Sequence, residues 1–420
     1  MSLRNRELLN LVVVGALTAL GFASVYIARQ SVVSTASLSY AAFFLALYLV
    51  AHLVARYAVP YADPYLLPIA ALLTAVGLTE IYRIRPGDAF RQGVWIIIAV
   101  GVFAGTLWSL RRDYRRLESY KYIFGLTAIG LLVLPALPGL GATVNGARLW
   151  IHFGSLQFQP GEIAKLCLIV FLAAYLREKR EVLAQGRLKD FGPLLLIWGG
   201  AMLVLVETND LGSALLYFGI FLAMLYVATG RLAYVLIGGL LFVAGAAGAY
   251  KLIGHVRTRV EIWIDPWPHI HTSGYQITQS LYSISNGGFG GAGLGKGTFT
   301  TTNGATLIPS ANTDFIYSAI AQELGLVGAA ALLLVFMLFI ARGMKVAMLA
   351  DDGFSKLLAA GLTFSFALQT FIIVGGILRM IPLTGVTLPF VSYGGSSVVA
   401  NFVLLAGLLL ISNRSNAPAR

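Results

Sequence analysis

Twelve long apolar runs divide this chain, and they constrain its fold more than any other feature of the sequence. Most of them reach the roughly 20 residues that a helix needs to cross the hydrocarbon core of a bilayer. Only 11% of the 420 residues are charged, whereas soluble domains carry about 25% because their surfaces face water. The runs lie near residues 9–27, 38–58, 65–82, 92–110, 121–139, 162–177, 191–206, 212–229, 232–254, 314–341, 355–379 and 388–412. The sequence therefore predicts an all-α, polytopic membrane protein with about twelve transmembrane helices.

The basic residues, which give the chain its formal charge of +12, lie mostly in short segments between the apolar runs. The clusters are Arg4 and Arg6; Arg111, Arg112, Arg115, Arg116 and Lys121; Arg177, Lys179, Arg180, Arg187 and Lys189; Arg342, Lys345 and Lys356; and Arg414 and Arg420. Twelve spans place all of these clusters on one side of the membrane, and the positive-inside rule makes that side the cytoplasm. Arg83, Arg85 and Arg91 are the discordant group. We therefore expect a cytoplasmic-membrane protein with both termini in the cytoplasm, and no nucleic-acid partner.

The segment 255–313 is the longest stretch without an apolar run. It is rich in glycine, aromatic and polar residues, and long connections of this kind are usually functional or disordered. Its aromatic content and low charge favour a folded extracytoplasmic cap. Residues 1–60 are predicted to form extra N-terminal transmembrane helices, and residues 61–420 to form one membrane domain that includes the cap.

Four ionisable residues lie within or beside the spans, where such groups are costly and by default functional. Glu162 and Lys165 share one helical face and could pair, and an ion pair that orients two helices explains them equally well. Asp210 opens a span, where helix capping alone accounts for a carboxylate. Asp314 lies where the long segment meets the tenth span. Partial desolvation there raises the pKa of a carboxyl and suits it to proton abstraction, although a helix cap is again the alternative.

Two glycine-rich segments stand out. Gly290–Lys296 matches a phosphate-binding loop through its lysine, but Gly297 follows where that motif requires Ser or Thr. The favoured interpretation is that the glycines allow tight turns or the close approach of a ligand. Residues 393–397, Tyr-Gly-Gly-Ser-Ser, form a second small-residue site whose simplest explanation is close helix packing.

Taken together, several segments of the chain resemble the SEDS family (shape, elongation, division and sporulation), which includes RodA and FtsW. The matching residues are Asn145–Ile151, Gln159–Lys165, Asp210–Gly212, Asp265–Pro266, Gly274–Gln276, Gly287–Gly288, Gly293–Gly295, Thr313–Phe315, Glu323–Gly325, Ile381–Gly385 and Leu388–Ser397. They occur in the family's order and cover roughly residues 120 to 412. The chain also carries about two more N-terminal spans than the ten usual in the family.

The resemblance implies a peptidoglycan glycosyltransferase that polymerises lipid II, the undecaprenyl-pyrophosphate-linked disaccharide, at the outer face of the cytoplasmic membrane. It makes 61–420 a SEDS-like catalytic domain and implies a class B penicillin-binding protein as partner. The family's essential loop aspartate corresponds to Asp314, the expected base for the acceptor's 4-hydroxyl in an inverting transfer.

The remaining site residues are expected to bind substrate. Arg148, Lys165, Arg257 and Arg259 are the candidates for phosphate contacts, since arginine suits bidentate binding. Trp150 is a candidate for the sugar or lipid groove, and an interfacial membrane anchor explains this aromatic residue equally well. The shared motifs add Glu162, Asp210, Tyr275, Gln276, Glu323, Ser392 and Ser396, and Lys296, which directly follows the Gly293–Gly295 motif, is a further candidate. A divalent cation, Mg or Mn, could screen the pyrophosphate, although the sequence contains no evident protein metal cage.

The sequence departs from the family at Asn312, where His is common, and at Arg379, where Gly is usual. Two alternative functions stay open: a lipid II flippase, and a non-catalytic scaffold of the cell-wall synthesis complex. The RodA-like length favours a role in elongation, but division is equally compatible with the motifs.

Overall fold

The computed structural model describes residues 2–30, 35–144, 147–153, 156–185, 192–298 and 307–418. The helices before the long segment are α1 (Leu3–Gln30), α2 (Thr35–Ala58), α3 (Leu66–Ile84), α4 (Pro86–Leu110), α5 (Arg116–Ser119), α6 (Lys121–Val133), α7 (Pro160–Ala184), α8 (Gly192–Glu207), α9 (Leu211–Thr229) and α10 (Leu232–Leu252). The remaining helices lie within or after the long segment and are α11 (Gly254–Ile264), α12 (Tyr275–Gly287), α13 (Ile316–Leu349), α14 (Gly353–Ile377) and α15 (Gly395–Asn416). The strands are β1 (Gly141–Val144), β2 (Ala147–Phe153) and β3 (Leu156–Phe158).

The twelve longest apolar runs of the sequence all form helices, namely α1–α4, α6–α10 and α13–α15. In the described part of the chain, nine helices are long and apolar enough to cross a membrane. The apolar helices α6 and α8 are shorter, and α7 carries Glu162, Lys165 and Arg177 along its length. The prediction of a helical, multi-pass membrane protein is confirmed. The number of spans and the side on which the termini lie stay predictions.

The centre of the molecule consists mainly of α3, α14 and α15, the candidate spans that are mostly buried, and α7 and α13 pack against them. Aromatic rings fill the space between these helices: the ring centroids of Phe339 and Phe366 are 4.3 Å apart, and those of Phe390 and Phe402 are 5.6 Å apart. By contrast, Gly238 is the one buried residue of α10, which the structure describes from end to end, so this helix lies at the periphery. A helix that exposes apolar side chains all round is expected where lipid is the solvent.

The N-terminal helices α1 and α2 belong to the same continuous core as the rest of the chain. A buried polar cluster holds their predicted cytoplasmic ends. Arg4 pairs with Glu7 and donates to the carbonyl of Ala62, and His52 Nδ1 lies 2.7 Å from Glu7 Oε1. The predicted boundary between 1–60 and 61–420 stays a prediction.

A small antiparallel sheet, in the order β1-β2-β3, lies between α6 and α7. The all-α prediction therefore missed three short strands. In their register Gly141 faces Ile151, which faces Phe158. The signal was present, since Asn-Gly at 145–146 is the strongest short hairpin motif.

Where the structure describes the segment 255–313, it contains α11 and α12, separated by a short turn; that the whole segment forms a cap stays a prediction. The glycines that follow α12 form tight turns: Gly291, Gly293 and Gly295 have φ of 83°, 98° and 82°. Its extracytoplasmic location stays a prediction. The predicted twelfth span begins too early, because 388–394 is an irregular turn before α15; Pro389 disfavours helical geometry at the residue before it.

Candidate active site

Asp314 lies in the turn that leads into α13, as the sequence predicted, and it is partly buried. Burial raises the pKa of its carboxyl to about 6, although the Arg259 guanidinium and a hydrogen bond from Thr313 hold the pKa lower than burial alone would. A carboxyl with this pKa is mostly ionised at neutral pH and still basic enough to accept a proton.

Contacts with the turn 388–394 fix the backbone immediately before Asp314. Ser392 Oγ donates to the carbonyl of Thr313 at 2.6 Å and accepts from the amide of Leu388 at 2.9 Å. The amide of Tyr393 donates to the carbonyl of Asn312 at 2.8 Å. Ser392 is thus a buried support of this turn, and its hydroxyl is already used by the protein.

Residues at the start of α4 contact both the turn that contains Asp314 and the turn 388–394. Asn312, the residue that replaces the family's usual His, donates from Nδ2 to Asp88 Oδ2 at 2.9 Å. Gln92 donates to the carbonyl of Ser392 at 3.3 Å and accepts from the amide of Gly394 at 3.2 Å. Asp88 and Gln92 therefore help to orient Asp314, a role that their positions in the sequence did not indicate.

Arg259, on α11, is the cation whose charge lowers the pKa of the Asp314 carboxyl. Its exposed guanidinium donates from Nη1 to the carbonyls of Leu383 and Thr384 at 3.4 and 3.2 Å. The next residue, Gly385, has φ of 75°, and a Cβ built on it would lie 3.7 Å from Asp314 Oδ2. The loop 382–387 therefore borders both the acid and the cation.

Arg379 fixes α11 to this loop. Its guanidinium donates to the carbonyl of Trp263 at 2.9 Å and to that of Ile264 at 2.7 Å, while Trp263 Nε1 donates back to the carbonyl of Arg379 at 2.9 Å. Arg379 has φ of 57°, a conformation that glycine adopts without strain. The three hydrogen bonds compensate for the strain where the family usually has glycine.

Glu162 and Lys165 form the ion pair that their spacing predicted, with Lys165 Nζ 2.8 Å from Glu162 Oε2. Lys165 is almost completely buried and donates a second hydrogen bond, of 2.6 Å, to Gln369 Oε1 on α14. Gln369 Nε2 in turn donates to the carbonyl of Thr387 at 2.9 Å. This chain of contacts connects the ion pair to the loop that borders Asp314.

Asp210 caps α9, as predicted, by accepting a 3.0 Å hydrogen bond from the amide of Ser213. Burial raises the pKa of the Asp210 carboxyl; Glu162 adds to this effect, whereas Ser213 and Arg259 oppose it. Just inside the helix, a Cβ on Gly212 would lie 2.8 Å from the carbonyl of Thr384. The start of α9 is therefore packed directly against the loop 382–387.

The sheet β1–β3 is connected to the start of α15 through Gln159, the residue that precedes α7. The amide of Gln159 donates to Ser396 Oγ at 2.6 Å, so Ser396 acts here as a buried structural acceptor. Arg148 Nη2 donates to the carbonyl of Leu137 at 3.2 Å, and Trp150 is partly buried on the same strand. Both lie on the hairpin rather than on the elements that hold Asp314, and their substrate contacts stay predictions.

The structure does not bring the remaining predicted site residues to this group. Arg257 is exposed and turns back onto the carbonyl of Lys251 at 3.4 Å. Lys296 is exposed on the glycine-rich segment. Within the described ranges, no hydrogen bond joins Tyr275 or Gln276, at the start of α12, to Asp314. Their binding roles stay predictions.

Glu323 has a different environment from the one that its motif suggested. Its carboxylate is completely buried, accepts from the amides of Gly295 and Gly297 at 2.6 and 3.0 Å, and pairs with Arg83 Nε at 3.1 Å. These contacts hold the glycine-rich segment against α3 and α13. A substrate-binding role for Glu323 likewise stays a prediction.

A divalent cation was expected from the pyrophosphate chemistry. Across the described residues, no group of three or more His, Cys, Asp or Glu side chains is placed to hold a metal ion. These residues therefore do not form a protein metal cage, and a bound Mg²⁺ would depend on one or two carboxylates together with substrate phosphates. The cation stays a prediction.

The group formed by Asp314, Arg259, Asp210, Glu162, Lys165 and Gln369 combines three carboxyl groups with two cations, of which Lys165 is paired with Glu162. Thr384 adds a buried hydroxyl oxygen with no hydrogen-bond partner among the described residues. Buried polar atoms usually have partners, so this hydroxyl is suited to a ligand. The arrangement can accept a proton at Asp314 and balance the negative charge of a leaving group.

Sequence reasoning missed Gln369, Asp88 and Thr384. Gln369 is a neutral residue within a long apolar run. The one signal in the sequence was that a polar side chain buried in such a run needs a hydrogen-bond partner. Thr384 lies inside a recognised motif, but its hydroxyl was not distinguished from its neighbours.

Comparison with known proteins places this arrangement in a family. The family model described as Cell cycle protein (FtsW/RodA/SpoVE) matches residues 65–417. The chain is similar to "Peptidoglycan glycosyltransferase RodA" of Mycobacterium tuberculosis, with 41% identity over 438 residues that cover 99% of this chain and 92% of the relative. It is 32% identical to "Stage V sporulation protein E" of Bacillus subtilis, over 83% of this chain and 96% of that protein.

Two solved structures resemble the fold. A chain from a peptidoglycan synthase complex matches with a TM-score of 0.70 and 28% identity, covering 84% of this chain and 98% of that one. The rod shape determining protein RodA of Thermus thermophilus matches with a TM-score of 0.61 and 27% identity, covering 85% of this chain and 98% of that one.

Proposed function

This chain belongs to the FtsW/RodA/SpoVE family of cell cycle proteins, and from that premise we propose how it acts. It is a multi-pass bacterial membrane protein and a peptidoglycan glycosyltransferase. Its substrate is lipid II, which it polymerises into glycan strands at the outer face of the cytoplasmic membrane. The flippase and scaffold alternatives are not favoured, because the relatives are named as glycosyltransferases.

The proposed reaction uses Asp314 as the general base. The 4-hydroxyl oxygen of the acceptor sugar attacks the anomeric carbon of the donor and forms the new glycosidic bond. The bond from that carbon to the lipid pyrophosphate breaks with inversion, and the pyrophosphate leaves with the bonding electrons. The hydroxyl proton passes to the Asp314 carboxylate, whose pKa of about 6 leaves it mostly ionised at neutral pH.

Two cations are proposed to act on the pyrophosphate, Arg259 by direct contact and Lys165 by its charge alone. Arg259 is exposed and anchored to the loop 382–387, so its other guanidinium nitrogens can contact phosphate oxygens. Lys165 is buried and held by Glu162 and Gln369, so its contribution is the positive charge rather than a direct contact. A charge fixed in a region of low dielectric stabilises developing negative charge more strongly than one in water.

The partner is proposed to be a class B penicillin-binding protein that crosslinks the new strands. The support is the similarity to a chain of a peptidoglycan synthase complex that coordinates polymerization and crosslinking. With the site at the outer face, both termini lie in the cytoplasm, which agrees with the basic clusters in the inner segments.

The observation that carries the proposal is the partly buried Asp314 carboxyl, held by two fixed turns beside Arg259. We expect Asp314→Asn, purified with the penicillin-binding protein, to polymerise lipid II roughly 10²- to 10⁴-fold more slowly, the usual contribution of a general base. Lipid II translocation in proteoliposomes should be unchanged.

The matched control is Asp351→Asn, which removes a carboxylate at an exposed position between α13 and α14 and should leave polymerisation at the wild-type rate. Equal polymerisation by Asp314→Asn and wild type would exclude Asp314 as the base. Absence of glycan from the wild-type complex would exclude the enzyme itself.

A further inference from the structure

A cavity of about 120 Å³ lies apart from the Asp314 group, between α1, α3, α13 and the glycine-rich segment. Leu17, Leu72, Val76 and Leu324 give it an apolar wall, and Glu80 lies at its polar end. From Leu72 to Glu80 the cavity follows α3 for about 12 Å, at 1.5 Å per residue. This length suits an extended alkyl chain.

Glu80 is almost completely buried, with 2% of its surface exposed, and its Oε1 has no hydrogen-bond partner among the described residues. Such an oxygen is costly unless a donor reaches it. The nearby hydroxyls do not serve, because Thr18 donates to the carbonyl of Val14 at 2.7 Å and Thr79 to that of Ala75 at 2.8 Å.

The neighbouring carboxylate, Glu323, differs in that its hydrogen bonds are already made. It accepts from the amides of Gly295 and Gly297 and pairs with Arg83. Two carboxyl groups thus lie near one guanidinium, and Glu80 is the one that still lacks a donor at Oε1 within the described part of the chain. The cavity therefore has an apolar body and an unsatisfied acceptor at one end.

We propose that this cavity binds an amphiphile with one alkyl chain whose terminal hydroxyl or ammonium group donates a hydrogen bond to Glu80. The alkyl chain lies along α3 between α1 and α13, where the surrounding solvent is hydrocarbon. The site uses α1, a helix that precedes the segment matched by the family model. It does not depend on the glycosyltransferase activity.

The test uses 1-dodecanol that carries a photoactivatable diazirine in its chain, with the protein in phosphatidylcholine nanodiscs, since choline headgroups donate no hydrogen bonds. Labelled peptides are identified by mass spectrometry. We expect saturable labelling of 17–21, 72–80 and 320–324. Excess 1-dodecanol or dodecylamine should abolish it, and whichever competes better identifies the preferred donor. Dodecane, which has no donor, should compete at least tenfold less well.

Two variants separate the acceptor from the cavity. Glu80→Leu removes the acceptor at similar volume and should weaken probe binding at least tenfold, the effect of one lost hydrogen bond. Val76→Phe fills the cavity and should abolish labelling. Val102→Phe adds the same ring at an exposed position on α4 and should label like wild type, and size-exclusion chromatography checks that each variant is folded.

Three results would overturn the proposal. They are equal competition by dodecane and 1-dodecanol, unchanged labelling of a folded Val76→Phe protein, and labelling that never saturates in the wild type. Each would mean that the cavity does not select a chain with a terminal donor.

Discussion

At the scale of single residues, the site depends on polar groups whose partners are fixed before any substrate binds. Asp314 balances burial, which raises its pKa, against Arg259, which lowers it. Lys165 is held by one charged and one neutral acceptor, Glu162 and Gln369. Reversing both charges of the Glu162–Lys165 pair would place a carboxylate against Gln369 Oε1, so we expect the double reversal to restore little of the function that either single reversal removes.

Gln369 provides the prediction at this scale. Gln369→Leu removes both the acceptor for Lys165 and the donor to the carbonyl of Thr387. Since a hydrogen bond to a charged group contributes about 1.5–3 kcal/mol, we expect lipid II polymerisation to slow by roughly ten- to a hundredfold. Initial rates of the purified complex measure this.

Thr370→Val is the control for Gln369. The Thr370 hydroxyl donates to the carbonyl of Phe366 in its own helix, so its removal should change the rate less than twofold. A Gln369→Leu enzyme as fast as the control would show that the bridge to Thr387 does not support catalysis.

At the scale of elements, the turn 388–394 holds the backbone next to Asp314. The turn is itself fixed by close packing against α3. A Cβ added at Gly77 would lie 2.2 Å from the carbonyl oxygen of Val391 and 2.6 Å from its Cα. Those are backbone atoms, so the turn, with Ser392 and its bond to Thr313, would have to move.

We therefore expect Gly77→Ala to reduce the polymerisation rate at least tenfold, because displacement of the catalytic group by about 1 Å costs of the order of a hundredfold. The matched control is Gly101→Ala on α4, where no atom lies within 4 Å of the added Cβ and alanine favours the helix. Equal rates for the two variants would mean that the turn does not position Asp314.

Elements were predictable from the sequence to the extent that they are apolar and long. The twelve apolar runs correspond to helices because each must satisfy its own backbone hydrogen bonds in lipid. The three strands between α6 and α7 are short and lie beside a helix, so hydropathy carried no signal for them. The turn at Pro389 was included in a helix because its neighbours are apolar.

The site was predictable only in part for a similar reason. Asp314, Asp210 and the Glu162–Lys165 pair stand out as charges beside apolar runs. Gln369 and Asp88 act through contacts with residues distant in the chain, and no spacing in one sequence predicts such contacts.

At the scale of the whole molecule, the buried cluster of Arg4, Glu7 and His52 anchors the N-terminal helices. Glu7 is completely buried and is the acceptor for both of its neighbours. Glu7→Leu leaves a buried guanidinium without its carboxylate, which costs roughly 3–5 kcal/mol. We expect the midpoint of thermal unfolding, measured by tryptophan fluorescence, to be lower for this variant than for the wild type.

Arg56→Ala is the comparison for the Glu7 variant. Arg56 is exposed and donates to Asn5 at 3.2 Å, and exposed polar pairs contribute about 1 kcal/mol or less. Its midpoint should stay close to that of the wild type. If the two variants unfold at the same temperature, the buried cluster does not anchor α1 and α2.

The most direct test of the account is the pH dependence of lipid II polymerisation by the purified complex. Asp314, the proposed base, can accept a proton only when ionised, and burial places its pKa at about 6. The initial rate should therefore fall about tenfold per unit as pH drops below 6 and level off above it, with lipid II binding measured at each pH as the control. A rate that is constant from about pH 5 to 7, or that rises as pH falls, would contradict the assignment of Asp314 as the general base.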